Sequence, residues 1–302
     1  MIPEFPEFKG LELADKEDVE KFTKKFPPYS DFNFVSMWSW DIKGEMGLSV
    51  LNNNLVVRFT DYITGKPFYS FLGDNKVNET VEKLLEYSKE KGLNAQLKLV
   101  PEESIKGIDT SKFKVEEDRD NFDYIYDIAA LAEFKGSKYQ SHRNSIRQFL
   151  KNYENWEVKM VNFSEISIKN SIISLFTQWV KNKGDSLLVE EYKNEFLALN
   201  KLLSIDDPLV FDLICFALYV DNNLVGFIIN GHINEYDIIH FEKANTFFKG
   251  CYNFLMQQNS KNLDTLVVEK LNFEQDLGIE SLKFTKTKLN PSAFLKKYLV
   301  SM

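Results

Sequence analysis

The chain has 302 residues and a formal net charge of −8, and 44% of its residues are hydrophobic and 14% aromatic. This length favours one large domain or two domains of about 150 residues each, and the aromatic content excludes a disordered chain. The two cysteines, Cys215 and Cys251, are far apart in sequence, which gives no support to a disulfide framework or a thiolate metal site.

The amino end shows no targeting signal. Residues 1–7 contain neither a basic segment nor an apolar one, as a secretion signal would. The longest uninterrupted apolar run, Leu213–Val220, is far shorter than the roughly 20 residues that a membrane-spanning helix needs. We therefore expect a soluble, cytoplasmic protein without a membrane span.

The first third of the chain predicts a helix, a hairpin and then further alternating elements. Val19, Phe22 and Phe26 recur at helical spacing before two prolines end the segment. An Asn-rich turn at residues 52–54 lies between β-prone runs and predicts a hairpin. A third strand is predicted over Pro67–Leu72, a helix over residues 76–91 and another strand over residues 95–100.

The net charge hides an uneven distribution. Residues 1–134 hold 17 basic and 26 acidic side chains, whereas residues 135–302 hold 20 and 19. Two segments, 135–153 and 281–302, contain several basic residues and no acidic one. In the first of them Arg143, Arg147 and Lys151 follow one another at four-residue steps, so that a helix would present them as one stripe. The carboxyl half is where we expect an anion to bind, although ordinary solvated basic faces would give the same pattern.

The carboxyl half repeats the elements of the amino half. Two helices are predicted first, from the apolar stripes of residues 168–180 and 192–203. A second hairpin turn at residues 221–223 then corresponds to the first at an offset of 169 residues. It is followed by a strand over residues 238–242, a helix over 250–261 and a strand over 265–268. We interpret this as a duplication, with one domain at residues 1–133 and the other at 134–302.

The order of helices and strands predicts the fold class. Two helices, three strands, a loop, a helix and a strand do not alternate as a doubly wound parallel sheet would. The order matches the acyl-CoA N-acyltransferase (GNAT) fold, in which an antiparallel meander precedes a helix whose amino terminus can hold a phosphate. We predict an α+β chain of two tandem GNAT-like domains, each a mostly antiparallel sheet flanked by helices.

The loop before the second helix is the predicted donor site. Lys249 supplies a charge and Gly250 lets the backbone approach an anion at the helix start. The acetyl-CoA fingerprint of this superfamily cannot be placed there, because its leading and last positions would hold Phe247 and Tyr252. The equivalent loop of the first copy contains Asp74. We therefore expect that only the second copy binds a donor, which need not be coenzyme A.

A polar segment at residues 272–278 is a second candidate. Asn272, Glu274 and Asp276 lie two residues apart, and a carboxylate can serve as a general base. The same residues could instead cap a helix and interact with its dipole. The three histidines have no metal-site spacing, and His232 and His240 are more simply explained as structural.

Three ordered motifs make the chain resemble the carboxyl-terminal domain family of phosphatidylglycerol lysyltransferases. They are Lys138-Tyr139 with His142-Arg143-Asn144 and Phe149; Phe241-Glu242-Lys243-Ala244 with Lys249-Gly250; and Asn272 with Glu274-Gln275-Asp276-Leu277-Gly278, Leu282, Lys286 and Pro291. The resemblance covers nearly the whole chain. It implies two acetyltransferase-like domains in tandem, related to Fem-type peptidyltransferases, and transfer of an aminoacyl group from aminoacyl-tRNA.

The resemblance also implies roles for individual residues of the second domain. Glu242 and Asp276 would be the acid-base or amine-binding carboxylates. The donor- or substrate-binding residues would be Lys138, Arg143, Asn144, Arg147, Lys243, Lys249, Gly250, Asn272, Glu274 and Lys286.

Two hypotheses about function follow. The first is an acyl or aminoacyl transferase that takes its group from aminoacyl-tRNA or acyl-CoA to an amine or hydroxyl acceptor, without a metal or another cofactor. The second is a non-catalytic ligand-binding or regulatory protein on the same scaffold. The absence of the acetyl-CoA fingerprint favours this second hypothesis. The acceptor, peripheral contact with lipid and the oligomeric state stay open.

Overall fold

The computed structural model describes residues 1–61, 65–184, 187 and 189–302, and of residues 190 and 191 only the backbone. The helices are α1 (Lys16–Thr23), α2 (Phe34–Trp40), α3 (Val77–Glu90), α4 (Glu102–Ile105), α5 (Ile128–Glu133), α6 (Gln140–Asn152), α7 (Ile166–Asn182), α8 (Glu190–Leu202), α9 (Cys251–Thr265) and α10 (Glu280–Lys288). The strands are β1 (Lys9–Gly10), β2 (Gly47–Leu51), β3 (Asn54–Thr60), β4 (Pro67–Leu72), β5 (Gln96–Pro101), β6 (Lys114–Glu117), β7 (Asp123–Asp127), β8 (Trp156–Val161), β9 (Leu213–Val220), β10 (Asn223–Ile233), β11 (Tyr236–Ala244), β12 (Lys270–Asn272), β13 (Ala293–Leu295) and β14 (Lys297–Ser301). The chain is therefore α+β, as predicted.

The chain divides into two units, and its last segments alternate between them. The first unit contains Met1–Tyr124, Gln275–Phe284 and Phe294–Met302, and the second contains Ile125–Glu274 and Thr285–Ala293. A division at residues 133 and 134, as the repeat suggested, would instead keep the whole carboxyl half together. The difference arises because β14, at the end of the chain, lies between β5 and β6 and completes a sheet of the first unit.

The first unit has two sheets around an apolar core. Strands β1 to β4 form an antiparallel sheet in sequence order, and β5, β14 and β6 form the other. One face of α3 packs into this core, because Val81, Leu84 and Leu85 recur at helical spacing and are fully buried.

The second unit is built on a sheet in which β7, from Ile125 onwards, is followed by β12, β11, β10, β9 and β8. Strands β8 to β11 pair antiparallel, whereas β12 is parallel to β11 and antiparallel to β7. The apolar stripe predicted on α7 is buried at Ile172, Leu175, Phe176, Trp179 and Val180, which confirms that it is a core face.

Both hairpin turns of the repeat have the same backbone geometry. Asn52 and Asn53 have φ angles of 53° and 62°, and Asp221 and Asn222 have angles of 49° and 63°. Positive φ at both central residues is what a type I′ turn requires, and Asn and Asp tolerate it best after Gly. The repeated order β-β-β-α-β is present in both halves, from β2 to β5 and from β9 to β12.

One predicted strand, over residues 265–268, is wrong. Helix α9 runs to Thr265, and the chain then closes the helix with hydrogen bonds from the Val267 and Val268 N–H groups to the Asp264 and Leu263 carbonyls. Val267 has a φ of 63°, which completes a Schellman motif. The β-prone residues here therefore form a helix cap, and the strand follows as β12.

Within the described part of the chain, no helix combines the length and the apolar character that crossing a membrane would require.

Candidate functional site

Glu242 is the central residue of the candidate site in the second unit. It lies near the carboxyl end of β11, where it pairs with Ile228 of β10 in the antiparallel register. Most of the strand is apolar and buried, so the sheet holds the Glu242 backbone rigidly. The Glu242 side chain itself keeps a small exposed fraction.

The Glu242 carboxyl group holds its proton unusually tightly. Burial raises its pKa from 4.5 to about 7, and the charges of Lys243 and Lys286 offset part of that effect. Among the described residues, no hydrogen-bond donor or ion-pair partner contacts this carboxylate. A carboxyl group that changes protonation near neutral pH and has no protein partner is suited to accept a proton from a substrate.

Lys286 brings a positive charge into the protein interior near Glu242. Its ammonium group donates a hydrogen bond of 2.5 Å to the Phe273 carbonyl and lies 4.8 Å from the centre of the Phe273 ring. The side chain is buried, although eight of the nine residues of α10 are not. Lys286 is therefore placed to act on Glu242 through its charge, and a phosphate outside the protein would not reach it readily.

The first turn of α9 brings two further titratable groups close to Glu242. Burial and the Glu242 charge raise the pKa of the Cys251 thiol to about 12, so the thiol stays neutral and unreactive. The same two causes raise the pKa of Tyr252, against polar contacts with Ala244 and Trp179 that lower it. Tyr252 thus stays a neutral phenol beside Glu242.

Lys243, the next residue of β11, interacts with a different set of groups. Its ammonium group forms an ion pair of 2.5 Å with Glu195 of α8 and lies 4.4 Å from the Trp179 ring centre. It is also 5.7 Å from the ring centre of Phe176. Successive strand residues point to opposite faces of a sheet, which explains why Lys243 contacts α7 and α8 while Glu242 is near α9.

His240 and Glu274 form a second charged pair on this unit. His240 Nδ1 lies 3.8 Å from Glu274 Oε1. Glu274 has a φ of 52°, and its N–H donates a 2.7 Å hydrogen bond to the side chain of the buried Asn272. The His240 ring packs directly against Gly231 of β10. Only glycine fits at position 231, because a Cβ atom there would lie 2.4 Å from His240 Nε2. Asn272 therefore shapes the loop that carries Glu274.

The basic helix α6 presents only part of its predicted stripe to solvent. Arg143 donates hydrogen bonds of 2.5 and 2.7 Å to the carbonyls of Phe134 and Gly136. Both carbonyls belong to the segment that follows the end of α5. Arg147 is exposed and donates to Asn144, which is also exposed. Lys138 precedes the helix and lies 5.0 Å from the Tyr139 ring centre. Arg143 thus has a structural task in addition to any ligand.

Gly250 lies where α6 and α9 meet. It has a φ of 86°, and a Cβ atom there would lie 2.2 Å from the Ser145 carbonyl oxygen. The space that this glycine leaves is therefore occupied by α6. The adjacent Lys249 side chain is exposed at the amino end of α9, where backbone N–H groups and the helix dipole favour an anion.

Asp276 belongs to the first unit and is fully buried there. The Tyr124 hydroxyl donates a 2.6 Å hydrogen bond to its carboxylate, and the Arg119 guanidinium lies 3.4 Å away. The Gly278 N–H donates to the other carboxylate oxygen at 2.9 Å. These contacts hold the loop at residues 276–278, and they leave the carboxylate without access to solvent.

The sequence interpretation missed a pair at the start of β11 in which an exposed histidine contacts a buried carboxylate. His232 Nδ1 lies 2.7 Å from Asp237 Oδ1, and burial raises the pKa of Asp237 to about 6. The two residues are direct partners in the β10 and β11 register. Counting back from the hairpin turn would have found this pair. The contacts of Lys243 with Glu195 and Trp179 could not be found in that way, because those two residues lie on helices outside the hairpin.

Within the described ranges, no group of three or more His, Cys, Asp or Glu side chains could hold a metal ion. The chemistry that the second unit can perform with its own groups is proton transfer at Glu242, with Lys286 and Tyr252 nearby.

Comparison with known proteins shows what this chain resembles. Residues 25–301 match the family described as "Phosphatidylglycerol lysyltransferase, C-terminal". A conserved protein of unknown function from Bacteroides thetaiotaomicron is 28% identical, with a TM-score of 0.84 over 99% of each chain. The C-terminal domain of a protein described as a lysylphosphatidylglycerol synthetase, from Agrobacterium fabrum, shares the fold, with a TM-score of 0.64, 13% identity and coverage of 95% of this chain and 91% of that one.

An uncharacterized protein of Mycoplasmoides gallisepticum strain R(low) is 26% identical over 197 residues, which are 64% of this chain. This match spans 60% of that relative, which is less than two thirds of its length.

Proposed function

Because this chain belongs to the phosphatidylglycerol lysyltransferase C-terminal family, we propose that it is an aminoacyl or acyl transferase whose reaction takes place beside Glu242. The observation that carries the proposal is the Glu242 carboxyl group, with a pKa of about 7 and no partner among the described residues. Catalytic bases work best when their pKa is close to the working pH.

In the proposed reaction, an acceptor amine or hydroxyl attacks the carbonyl carbon of an activated ester. Glu242 takes the proton of the nucleophile as the new C–N or C–O bond forms. The bond from the carbonyl carbon to the donor oxygen, or to the donor sulfur of a thioester, then breaks, and the proton passes from Glu242 to that leaving atom. We assign to the neutral Tyr252 phenol the donation of a hydrogen bond to the developing oxyanion.

We assign the donor phosphate to the start of α9, at Lys249 and the backbone following Gly250. Asn144 and Lys138, which are exposed on and before α6, would contribute to the same site. Both an aminoacyl-tRNA and an acyl-CoA carry phosphate groups, close to the acyl ester in the first and at the far end of the pantetheine arm in the second, so both stay candidate donors. The acceptor is an amine or hydroxyl of unassigned class.

We assign different roles to the remaining candidate residues. Lys286 and Lys243 would set the charge around Glu242, and Asn272 and Glu274 would shape the adjoining loop. Asp276 would hold the loop of the first unit, because its oxygens already accept hydrogen bonds from Tyr124 and Gly278.

The test is single-turnover transfer from aminoacyl-tRNA or acyl-CoA to a panel of amine and hydroxyl acceptors. We expect the rate to rise with pH through about 7, because Glu242 must lose its proton before it can act as a base. Glu242→Gln should lower the rate by about 10²- to 10⁴-fold.

The matched control is Glu235→Gln, which changes an exposed carboxylate at the tip of the same hairpin. It should leave the rate unchanged. A Glu242→Gln variant that folds and transfers as fast as the unmodified protein would refute the catalytic role. Donor binding by the unmodified protein without transfer to any acceptor would favour the non-catalytic hypothesis instead.

A further inference from the structure

Strand β8 lies at one end of the sheet in the second unit. Within the described ranges it pairs only with β9, from Trp156 opposite Val220 to Val161 opposite Cys215. An edge strand leaves N–H and C=O groups open to another chain, and many proteins interrupt such a strand with a bulge. The pairing of β8, whose six residues the structure describes throughout, runs without one. This edge is therefore able to accept a further strand.

The backbone groups that face the open edge follow from one hydrogen bond to the segment after β9. The Asp221 N–H donates to the Asn155 carbonyl at 3.0 Å, just before β8 begins. Because backbone groups of an antiparallel strand alternate in direction, every second residue after Asn155 bonds to β9. The residues between them turn their N–H and C=O groups to the open edge. They are Trp156, Val158 and Met160.

The side chains of β8 form one charged row and one apolar row. Glu157 and Lys159 lie on one face, where their charged groups are 2.8 Å apart and both side chains are more than half exposed. Trp156, Val158 and Met160 lie on the other face. Met160 is 67% exposed and Trp156 is 37% exposed. Val158 is thus flanked first by one negative and one positive side chain, and then by two large apolar ones.

This order makes β8 complementary to a second copy of itself. When two copies pair antiparallel about a two-fold axis at Val158, each Glu157 faces Lys159 of the other copy. Each Trp156 then faces Met160 of the other copy, and a thioether beside an aromatic ring is a favourable contact. All the edge-facing residues form hydrogen-bonded pairs in this register. An axis at Glu157 or at Lys159 would place like charges opposite each other, so the charges select the axis at Val158.

We infer that the protein forms a two-fold symmetric dimer through β8, in which the second-unit sheets of two copies join edge to edge. The open backbone groups would bond to any extended peptide. A second copy is the partner because its charged and apolar side chains match those of β8 in one register. A lysine on an edge strand commonly prevents pairing, but here Lys159 meets a carboxylate. The inference does not depend on the proposed reaction at Glu242.

The experiment is analytical ultracentrifugation of the full chain at concentrations up to about 100 μM, where we expect a monomer–dimer equilibrium. Glu157→Lys places lysines opposite lysines, and Lys159→Glu places carboxylates opposite carboxylates. Each should weaken the dimer about tenfold or more. Val158→Pro removes an N–H group that faces the open edge, where a sheet tolerates proline. It should weaken the dimer at least as much.

Two combinations restore the complementary charges. The double variant Glu157→Lys with Lys159→Glu again has opposite charges face to face and should dimerise as the unmodified protein does. A mixture of the two single variants should form heterodimers more tightly than either variant pairs with itself, because one strand carries two cations and the other two anions. Such rescue separates pairing through β8 from a loss of folding, which thermal unfolding also monitors.

The matched control is Glu116→Lys on β6, an edge strand of the first unit. Glu116 is exposed and lies 2.8 Å from Lys114, as Glu157 lies from Lys159. The four residues of β6, all described, include no large exposed apolar side chain. This variant should dimerise as the unmodified protein does.

The inference is overturned if the unmodified protein stays monomeric up to about 100 μM. It is also overturned if the folded β8 variants dimerise as well as the unmodified protein, since the dimer would then use another surface. A mixture of the two single variants that stays as weak as each variant alone would contradict the pairing about Val158.

Discussion

At the scale of single residues, the environment of Glu242 decides when its carboxyl group is protonated. A buried carboxyl group without a hydrogen-bond donor favours its neutral form, and only nearby cations oppose this. Lys286 is such a cation, and it is itself kept in place by the Phe273 carbonyl. The balance between burial and charge puts the pKa at about 7. Without burial the carboxyl group of Glu242 would be ionised at neutral pH, and without the nearby cations its pKa would be higher.

Replacing Lys286 tests this balance without any substrate. Folded Glu242 has a pKa of about 7, against 4.5 when unperturbed, so the free energy of unfolding falls as pH rises from 4.5 to about 7. Lys286→Met removes a charge that lowers this pKa. In this variant the free energy of unfolding should therefore keep decreasing up to a pH about one unit higher. Urea denaturation across this pH range measures the shift.

The control repeats the denaturation of both proteins, with and without Lys286→Met, in a Glu242→Gln background. Subtracting these profiles removes the contribution of all other titrating groups. Lys286→Arg keeps the charge and should leave the pH range of the fall unchanged. If Lys286→Met and the unmodified protein show the same Glu242-dependent profile, Lys286 does not act on Glu242.

At the scale of elements, the start of α9 depends on its contact with α6. The Ser145 carbonyl lies where a Cβ atom of residue 250 would be, and the Asn253 side chain donates to Ser145 Oγ at 3.0 Å while also contacting His142. Phe149 and Phe254 stack at 4.5 Å between the same helices. The position of the proposed donor site therefore follows from close packing of two helices.

Gly250→Ala should destabilise the protein by more than the strain that a positive φ imposes on alanine. Gly136 has nearly the same φ, 88° against 86°, but has open space where its Cβ would be. Gly136→Ala should cost about 1 kcal/mol in unfolding free energy from the positive φ. Gly250→Ala should cost about 2 kcal/mol more, because α6 must move away. Equal costs in chemical denaturation would show that the helices do not pack so closely.

At the scale of the whole molecule, the end of the chain is part of the first unit. Lys297 of β14 is fully buried, contacts Asp31 and lies 2.7 Å from Asp123 Oδ1. Ser30 donates to the same Asp123 oxygen at 2.6 Å. A buried cation between two carboxylates joins three distant segments of the sequence, so the first unit is complete only when β14 is in place.

Lys297→Met should lower the unfolding free energy by about 3–5 kcal/mol, because two buried carboxylates lose their cation. Its neighbour provides the control. Lys296 is 39% exposed and paired with Glu117, so Lys296→Met should cost less than about 1 kcal/mol. Adding Asp31→Asn and Asp123→Asn to Lys297→Met should restore part of the loss. Similar costs for Lys296→Met and Lys297→Met would contradict this account.

The sequence alone was enough for the local elements and their repetition. Helical and strand periods, and the Asn-rich turns at residues 52 and 222, report backbone preferences that act over a few residues. The motifs around Glu242 and Lys249 likewise indicated the family, because the residues that carry it are close in sequence. The wrong prediction of a strand at residues 265–268 also concerns local structure, because these residues form the carboxyl-terminal cap of α9 instead.

The tertiary structure decided what each candidate residue is able to do. Glu242 and Asp276 looked alike as carboxylates, yet one is without a partner among the described residues and the other accepts hydrogen bonds from Tyr124 and Gly278. Lys286 came from a basic tail that suggested contact with phosphate, and it is buried inside the second unit. Burial, pKa and access to a ligand depend on groups that are distant in sequence, and periodicity carries no information about them.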